Sequence, residues 1–329
     1  MMETAESAPK SGDSMSTSVV KLKCLSHTPL RGLNDPAPGV VAEVDAVIAA
    51  ARAEVEAFDP ELIVVFAPDH YNGLFYDLMP PFVVATAAES VADYKTLPGP
   101  LAIPDKLALD LVRHLLDSDL DVALSHRLQV DHGCTQILEE MTGSLTRYPV
   151  IPIIINSVAP PFAPYRRIRL LGEAVGKFIA GLNKRVLILG SGGLSHEPPV
   201  PVFSGAKPEI SEFLISGRNP TPEARAARQA RTLATGKIFG TPDCDLTPLN
   251  QEWDHAFMDL LINQDLHKVD DFEIDVISKT AGRSTHEVRT WIAAFAALSA
   301  MGQYNGQKDY YRPVNEWIAG YGVMSADPA

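Results

Sequence analysis

The sequence predicts an α/β fold: a mainly parallel or mixed central sheet flanked by helices, followed by a helical C-terminal part. Three observations carry this. Helical and extended patterns alternate from about residue 19 to 193, as in chains that wind helices around a sheet. The runs ELIVVFAP (61–68) and KRVLILGSGG (184–193) are almost continuously apolar at their centres, as expected of strands covered on both faces. Beyond about residue 205 the patterning becomes helical, with no convincing strand.

In chain order, VVKLKCL (19–25) reads as a short strand, and PGVVAEVDAVIAAARAEVEAF (38–58) as a long amphipathic helix opened by proline. The strand at 61–68 is rich in β-branched residues. A proline-rich segment and a weak strand (82–86) follow. Next come a helix (104–117), a strand (121–125), a helix (134–142), the strand YPVIPIIIN (148–156), a helix (164–181) and the strand at 184–193. Helices are expected at 221–238, 250–263 and 284–302. There is no repeat of fixed period and no linker-like break in composition. Residues 18–329 therefore read as one catalytic-sized domain, and residues 1–17, dominated by small polar residues, as a disordered extension.

Of the 329 residues, 46% are hydrophobic and 21% charged, which is enough to bury a sizeable core. A net charge of −13 excludes the basic footprint of non-specific nucleic-acid binding. Cys24, Cys134 and Cys244 are odd in number and widely spaced, without a CxxC pair. They fit a reducing compartment rather than a disulfide framework. No apolar run is long enough to span a bilayer, and the N-terminus lacks the apolar stretch of a secretory signal. The expectation is a cytoplasmic protein without a membrane partner.

Histidines recur in similar places. His27, His70 and His196 each follow a strand-like run, and His132 lies in a loop between a strand and a helix. Open α/β sheets gather ligands beyond the carboxyl ends of their strands, so four distant segments can bring imidazoles to one rim. Neutral imidazole is a common ligand for iron or zinc, and Asp69 is placed to orient the ring of His70. A carboxylate is the natural third ligand, with Glu252, Glu273 and Glu287 as candidates. Glu287 equally fits a capping box with Ser284 as N-cap. Gly133 allows a tight turn after His132, and Pro198-Pro199 keeps His196 in a loop. The remaining histidines read as surface or structural.

Two other motifs suggest chemistry weakly. LILGSGGLS has Ser195 where a dinucleotide fingerprint has its third glycine or alanine, and Pro198-Pro199 blocks the helix that should follow. Its glycines fit a turn or close backbone access for a substrate. Cys134 lies two residues from His132 but reads as a small buried thiol.

CLSHTPL, FAPDHYNGLFYDLMPPF, QVDHG, LNKRVLILGSGGLSHEPPVP, STHEVRTWIAAFAA and YYRPVNEWIAGYG, in that order, resemble the class III extradiol ring-cleavage dioxygenases. The likeness runs from about residue 20 to 324 and is loose over 205–248. It implies a homo-oligomeric non-haem Fe(II) enzyme with His27, His70 and Glu287 as metal ligands. It further implies His132 as proton donor and His196 as proton acceptor. The substrates it implies are O2 and a catechol, specifically 3-(2,3-dihydroxyphenyl)propionate and its cinnamate analogue, with 2-hydroxy-6-oxonona-2,4-dienedioate as product. Another 3-substituted catechol, or metal-dependent hydrolysis on the same core, are the alternatives. Arg166, Arg167 and Arg312 are the cations available for the propionate.

Overall fold

The computed structural model describes residues 18–329; the extension expected over 1–17 lies outside the described residues. The first half comprises β1 (Val19–Ser26), α1 (Val40–Phe58), β2 (Leu62–Ala67), β3 (Phe82–Ala85), β4 (Ala88–Ser90), β5 (Gly99–Pro100), α2 (Asp105–Asp117), β6 (Ala123–Ser125), β7 (Leu128–Val130), α3 (His132–Thr142) and β8 (Val150–Ile155). Then follow α4 (Tyr165–Ala180), β9 (Arg185–Gly192), α5 (Pro208–Ser216), α6 (Pro222–Ile238), α7 (Gln251–Ile262), α8 (Ile274–Ala281), α9 (Arg289–Ser299), β10 (Tyr304–Val314) and β11 (Ala319–Pro328).

The main sheet has eight strands in the order β10-β11-β1-β9-β2-β8-β3-β6. Its centre, β1-β9-β2-β8, is parallel. β3 pairs antiparallel with β8, and β11 pairs antiparallel with β1 and β10, so the whole sheet is mixed. Side chains alternate across a strand, and β2 shows the result. Leu62, Val64 and Phe66 pack among α2, α4, α7 and α9, whereas Ile63, Val65 and Ala67 pack among α1 and α3. α1 buries Val40, Val44, Ile48, Ala51 and Val55, a single stripe at helical spacing.

α9 lies between the sheet and α4, so Arg289 through Leu298 are all buried. The two helices approach closely because α4 contributes Gly172 and Gly176 where α9 contributes Ala293, Ala296 and Ala297. A methyl group added at Gly172 or Gly176 would come within 2.3 or 2.1 Å of a backbone carbonyl of α9.

The structure departs from the sequence expectations in four places. The C-terminal part is not wholly helical, because β10 and β11 form a hairpin that extends the sheet. β10 is a half-exposed edge strand with polar residues and Pro313, and β11 carries Gly320 and Gly322, so neither has the apolar run that marks a buried strand. A separate sheet of β5, β4 and β7 was not expected, and its strands are two or three residues long. The short helices α5 and α8 were also missed. Finally, the segment expected to open a helix at 284 is a 3-10 turn, Arg283–Val288, and α9 begins only at Arg289.

β1, β9 and β2 are adjacent and parallel, with Ser26 level with Gly192. His27, His196 and His70 follow these three strands, so the topology delivers three imidazoles to one edge.

Gly176→Ala should lower stability by about 1–3 kcal/mol, the usual cost of overpacking. Helix propensity alone predicts the opposite sign. The midpoint of urea unfolding distinguishes the two.

Candidate active site

His27 leaves β1 with its backbone N–H donated to the Gly192 carbonyl (3.0 Å), and its Nδ1 lies 3.1 Å from Ser191 Oγ. Its Nε2 is 3.1 Å from Glu287 Oε2. His70 Nε2 and His196 Nε2 lie 3.2 and 3.1 Å from the other oxygen, Oε1. Three imidazoles thus converge on one carboxylate that is 1% exposed. Among the described residues Oε2 has no aligned hydrogen-bond donor despite its full burial, an arrangement that ordinarily calls for a partner.

Glu287 reaches this position on the 3-10 turn before α9. The turn is pinned by His286, whose Nδ1 accepts from Tyr165 Oη (2.7 Å) and whose Nε2 meets Ser278 Oγ (2.8 Å). Both carboxylate oxygens of Glu287 face imidazoles, so the capping-box alternative is not formed. Glycines make room for the turn. A Cβ at Gly192 would lie 2.4 Å from the Glu287 carbonyl, and one at Gly193 would lie 2.5 Å from the His196 ring. The glycine run of LILGSGGLS therefore serves packing under the site.

His132 is the first residue of α3 rather than a loop residue. Asp93 holds it twice, accepting its backbone N–H (2.8 Å) and facing its Nδ1 (2.6 Å). The His132 ring stacks on His70, with centroids 4.4 Å apart, and the edge of Tyr94 approaches it. Nitrogen atoms of His27, His70 and His132 lie within 4.8 Å of one another. Gly133 makes no turn here: a Cβ there would meet the His70 ring at 2.9 Å.

Asp131 is the N-cap of α3, accepting from Gly133 N. Its other oxygen accepts from His70 N and Asn72 Nδ2, each at 2.8 Å, and faces His70 Nδ1 at 3.2 Å. Asp131 thus orients His70, the role expected of Asp69. Asp69 instead accepts the backbone N–H groups of Asn72, Gly73 and Leu74 and fixes the loop. Asp93 and Asp131 were not singled out from sequence. The apolar-then-helical pattern after Asp131 is the signal that identifies an N-cap.

The electrostatics follow from burial and pairing. Burial pulls the His27 imidazole down to about 4 against the attraction of Glu287, which keeps it neutral. Burial acts the same way on His70 and His196, but carboxylates overcome it. Asp131 and Glu287 hold His70 well above its ordinary value, and Glu287 raises His196. Burial disfavours the charge on Glu287, yet the surrounding imidazoles hold its carboxyl well below the usual range. Asp69, buried beside Asp131, is pushed up to about 7.

His196 has a separate support. Its Nδ1 is 2.8 Å from the Leu194 carbonyl and can only donate to it, so Nε2 carries the free lone pair in the neutral ring. The preceding residue, Ser195, gives both its N–H and its hydroxyl to the buried Asp254 (2.6 Å each), which also accepts from Tyr311 Oη.

His27, His70, His132, His196 and Glu287 all line one cavity of about 770 Å³, including its open mouth. Its other walls are largely apolar, with Leu30, Val200, Phe213, Trp317 and Ile318 among them, and Arg228 is the one arginine or lysine among the described lining residues. Arg312 is instead paired with Glu43 at the surface, and Arg166 and Arg167 do not line the cavity. Glu252 and Glu273 also lie outside it. Cys134 is buried in α3, and burial raises its thiol pKa, which leaves it inert.

A family model described as the catalytic LigB subunit of aromatic ring-opening dioxygenase matches residues 21–323. A protein of Azotobacter vinelandii named 2,3-dihydroxyphenylpropionate/2,3-dihydroxicinnamic acid 1,2-dioxygenase is 79% identical over 308 residues, 94% of this chain and 99% of that protein. Proteins with the same name from Xanthobacter autotrophicus and Cupriavidus necator are 76% and 59% identical over 310 residues, each match covering 94% of this chain and 99% of the relative. The crystal structure of an uncharacterized protein from Escherichia coli K12 matches with a TM-score of 0.50 and 16% identity, covering 92% of this chain and 98% of its own, a likeness of fold alone.

Asp131→Ala removes a helix cap and the acceptor of His70 together. Chemical denaturation should register a loss of roughly 3–5 kcal/mol, the scale for breaking a buried charged pair. Asp131→Asn, which can still cap α3, should lose less.

Proposed function

The chain belongs to the LigB family of aromatic ring-opening dioxygenases, and from that premise we propose that it is an Fe(II)-dependent extradiol enzyme acting on 3-(2,3-dihydroxyphenyl)propionate. The reaction takes up O2 and yields 2-hydroxy-6-oxonona-2,4-dienedioate, with both oxygen atoms retained; the 2,3-dihydroxycinnamate analogue is a second substrate. The names of the 76–79% identical relatives support the substrate. The observation that carries the reading is the buried Glu287 carboxylate, met by His27 and His70 in a cavity that also holds His132 and His196.

These residues fit a resident divalent cation. Glu287 Oε2 is buried without a hydrogen-bond partner, and Nε2 of neutral His27 faces it. Two imidazoles and one carboxylate on one side form the donor set of non-haem Fe(II) oxygenases. His27, His70 and Glu287 would hold the ion, in keeping with the family motifs around them. Bound ferrous iron supplies the redox-active centre that lets a closed-shell catechol react with triplet dioxygen.

The protein's own groups do the remaining work. His196 accepts a proton from a catechol hydroxyl at Nε2, because Nδ1 is committed to Leu194 O. His132 carries a proton to the oxygen that must leave during ring opening. The Asp93 carboxylate against its Nδ1 fixes the ring and leaves Nε2 facing the cavity. The apolar walls exclude bulk water from the reacting carbon atoms. Residues 18–329 act as one catalytic domain, in a cytoplasmic homo-oligomer.

Anaerobic loading with Fe(II), followed by air and substrate, should consume oxygen and release a yellow dienol. Neither oxygen uptake nor dienol, with hydrolysis of an ester or amide in their place, would indicate a metal-dependent hydrolase instead, and a panel of 3-substituted catechols ranks the substrates. His132→Ala and His196→Ala should retain iron while turnover falls about 10²–10⁴-fold.

His27→Ala and Glu287→Gln should reduce iron per chain, measured by elemental analysis. Proximity also supports a three-imidazole set of His27, His70 and His132. That set predicts the reverse: iron kept in Glu287→Gln and lost in His132→Ala.

A further inference from the structure

Arg228 stands apart from the other lining residues. It projects from α6 into the cavity, half-buried, yet no carboxylate of the described residues pairs with it. Its Nη2 donates to Asn72 Oδ1 (2.7 Å) and its Nη1 to the Tyr71 carbonyl (3.3 Å), both neutral acceptors. A guanidinium has five N–H donors, so these contacts leave donors free and the charge without a carboxylate. Phe213 lies beneath it, with the guanidinium carbon 5.6 Å from the ring centroid.

The surroundings suit an anion. On this side of the cavity the walls are mainly apolar, which weakens screening of the charge. A second groove shares Arg228 and Phe213 with the cavity and adds Arg225 and Arg231, at helical spacings of three. Arg225 Nη1 is buried without a hydrogen-bond partner among the described residues. On a chain of net charge −13, this is a local basic approach that ends at Arg228.

We propose that Arg228 binds the side-chain carboxylate of the catechol substrate and so sets the preference for 3-carboxyalkyl catechols over uncharged ones. A guanidinium binds a carboxylate in a two-point fork. The assignment rests on the dioxygenase reading for the identity of the ring, but not for the anion. Arg228 also touches the His70 loop: Asn72, which accepts from Arg228, donates to Asp131, which holds His70. A merely structural Arg228 would support that loop and be indifferent to the substrate's charge.

The test compares charged and neutral partners of equal length. By calorimetry, wild type should bind 3-phenylpropionate more tightly than 3-phenylpropan-1-ol, and Arg228→Met should shrink that ratio roughly 10–100-fold, the scale of a charged hydrogen-bonded contact. In turnover, the ratio of kcat/KM for 3-(2,3-dihydroxyphenyl)propionate to that for 3-propylcatechol should fall by a similar factor, mainly through KM. If Arg228→Met lowers both members of each pair equally, or if wild type shows no preference for the acid, the proposal is overturned. Should Arg228→Met fail to fold, Arg228→Lys decides: it should keep a reduced preference for the acid, and a full preference would overturn the two-point contact. Ring opening without any dependence on Arg228 sinks this assignment alone. Carboxylate binding that depends on Arg228, in an enzyme that opens no catechol, sinks the dioxygenase reading and leaves the anion site standing.

Discussion

A carboxylate with almost no access to water governs this structure. An ionised acid is costly to bury unless positive charge or hydrogen bonds surround it, and among the described residues the Glu287 carboxylate meets three imidazoles. Those imidazoles arrive from three different strands, so the charge acts as a knot between β1, β9 and β2. The neighbouring peculiarities of the chain follow from keeping that knot tight. Gly192 and Gly193 lack side chains because the Glu287 backbone and the His196 ring occupy the space. His286, beside the knot, is committed at both ring nitrogens to holding the turn.

A second layer of acids stands behind the rings. Asp131 supports His70, Asp93 supports His132, and Asp254 supports the backbone and hydroxyl of the residue before His196. The first two contacts engage a ring nitrogen and thereby decide which nitrogen is left for chemistry. The four histidines are consequently not equivalent. His27 rests against a serine hydroxyl and stays neutral, His70 lies between two carboxylates, His132 backs onto one, and His196 donates to a carbonyl. One residue type in four environments can serve both ligation and proton transfer.

Much of the fold was legible because the central strands are buried on both faces and therefore apolar along their length. His27, His70 and His196 stood out because each follows the end of such a run. What escaped were elements whose stability is borrowed from distant partners. β10 and β11 read as polar or glycine-rich, since one is an edge strand and the other packs its small residues closely under Leu194, Trp291 and Asp254. Asp93, Asp131 and Arg228 lie 39, 61 and 156 positions from His132, His70 and Asn72, and no local pattern announces such pairs. Asp69, adjacent to His70 in sequence, was the natural choice for its support, but its carboxylate is already engaged by three backbone N–H groups.

The strand that leads into His27 finds both its neighbours far along the chain. Val20 and Leu22 pair on one side with Val186 and Ile188, and Leu22 pairs on the other with Ala326. Contacts this remote in sequence form slowly. β1 therefore stays an unpaired apolar segment until β9, far along the sequence, is in place. Until then its apolar residues lack the cover that β9 and β11 give them, the condition in which an unpaired strand invites aggregation.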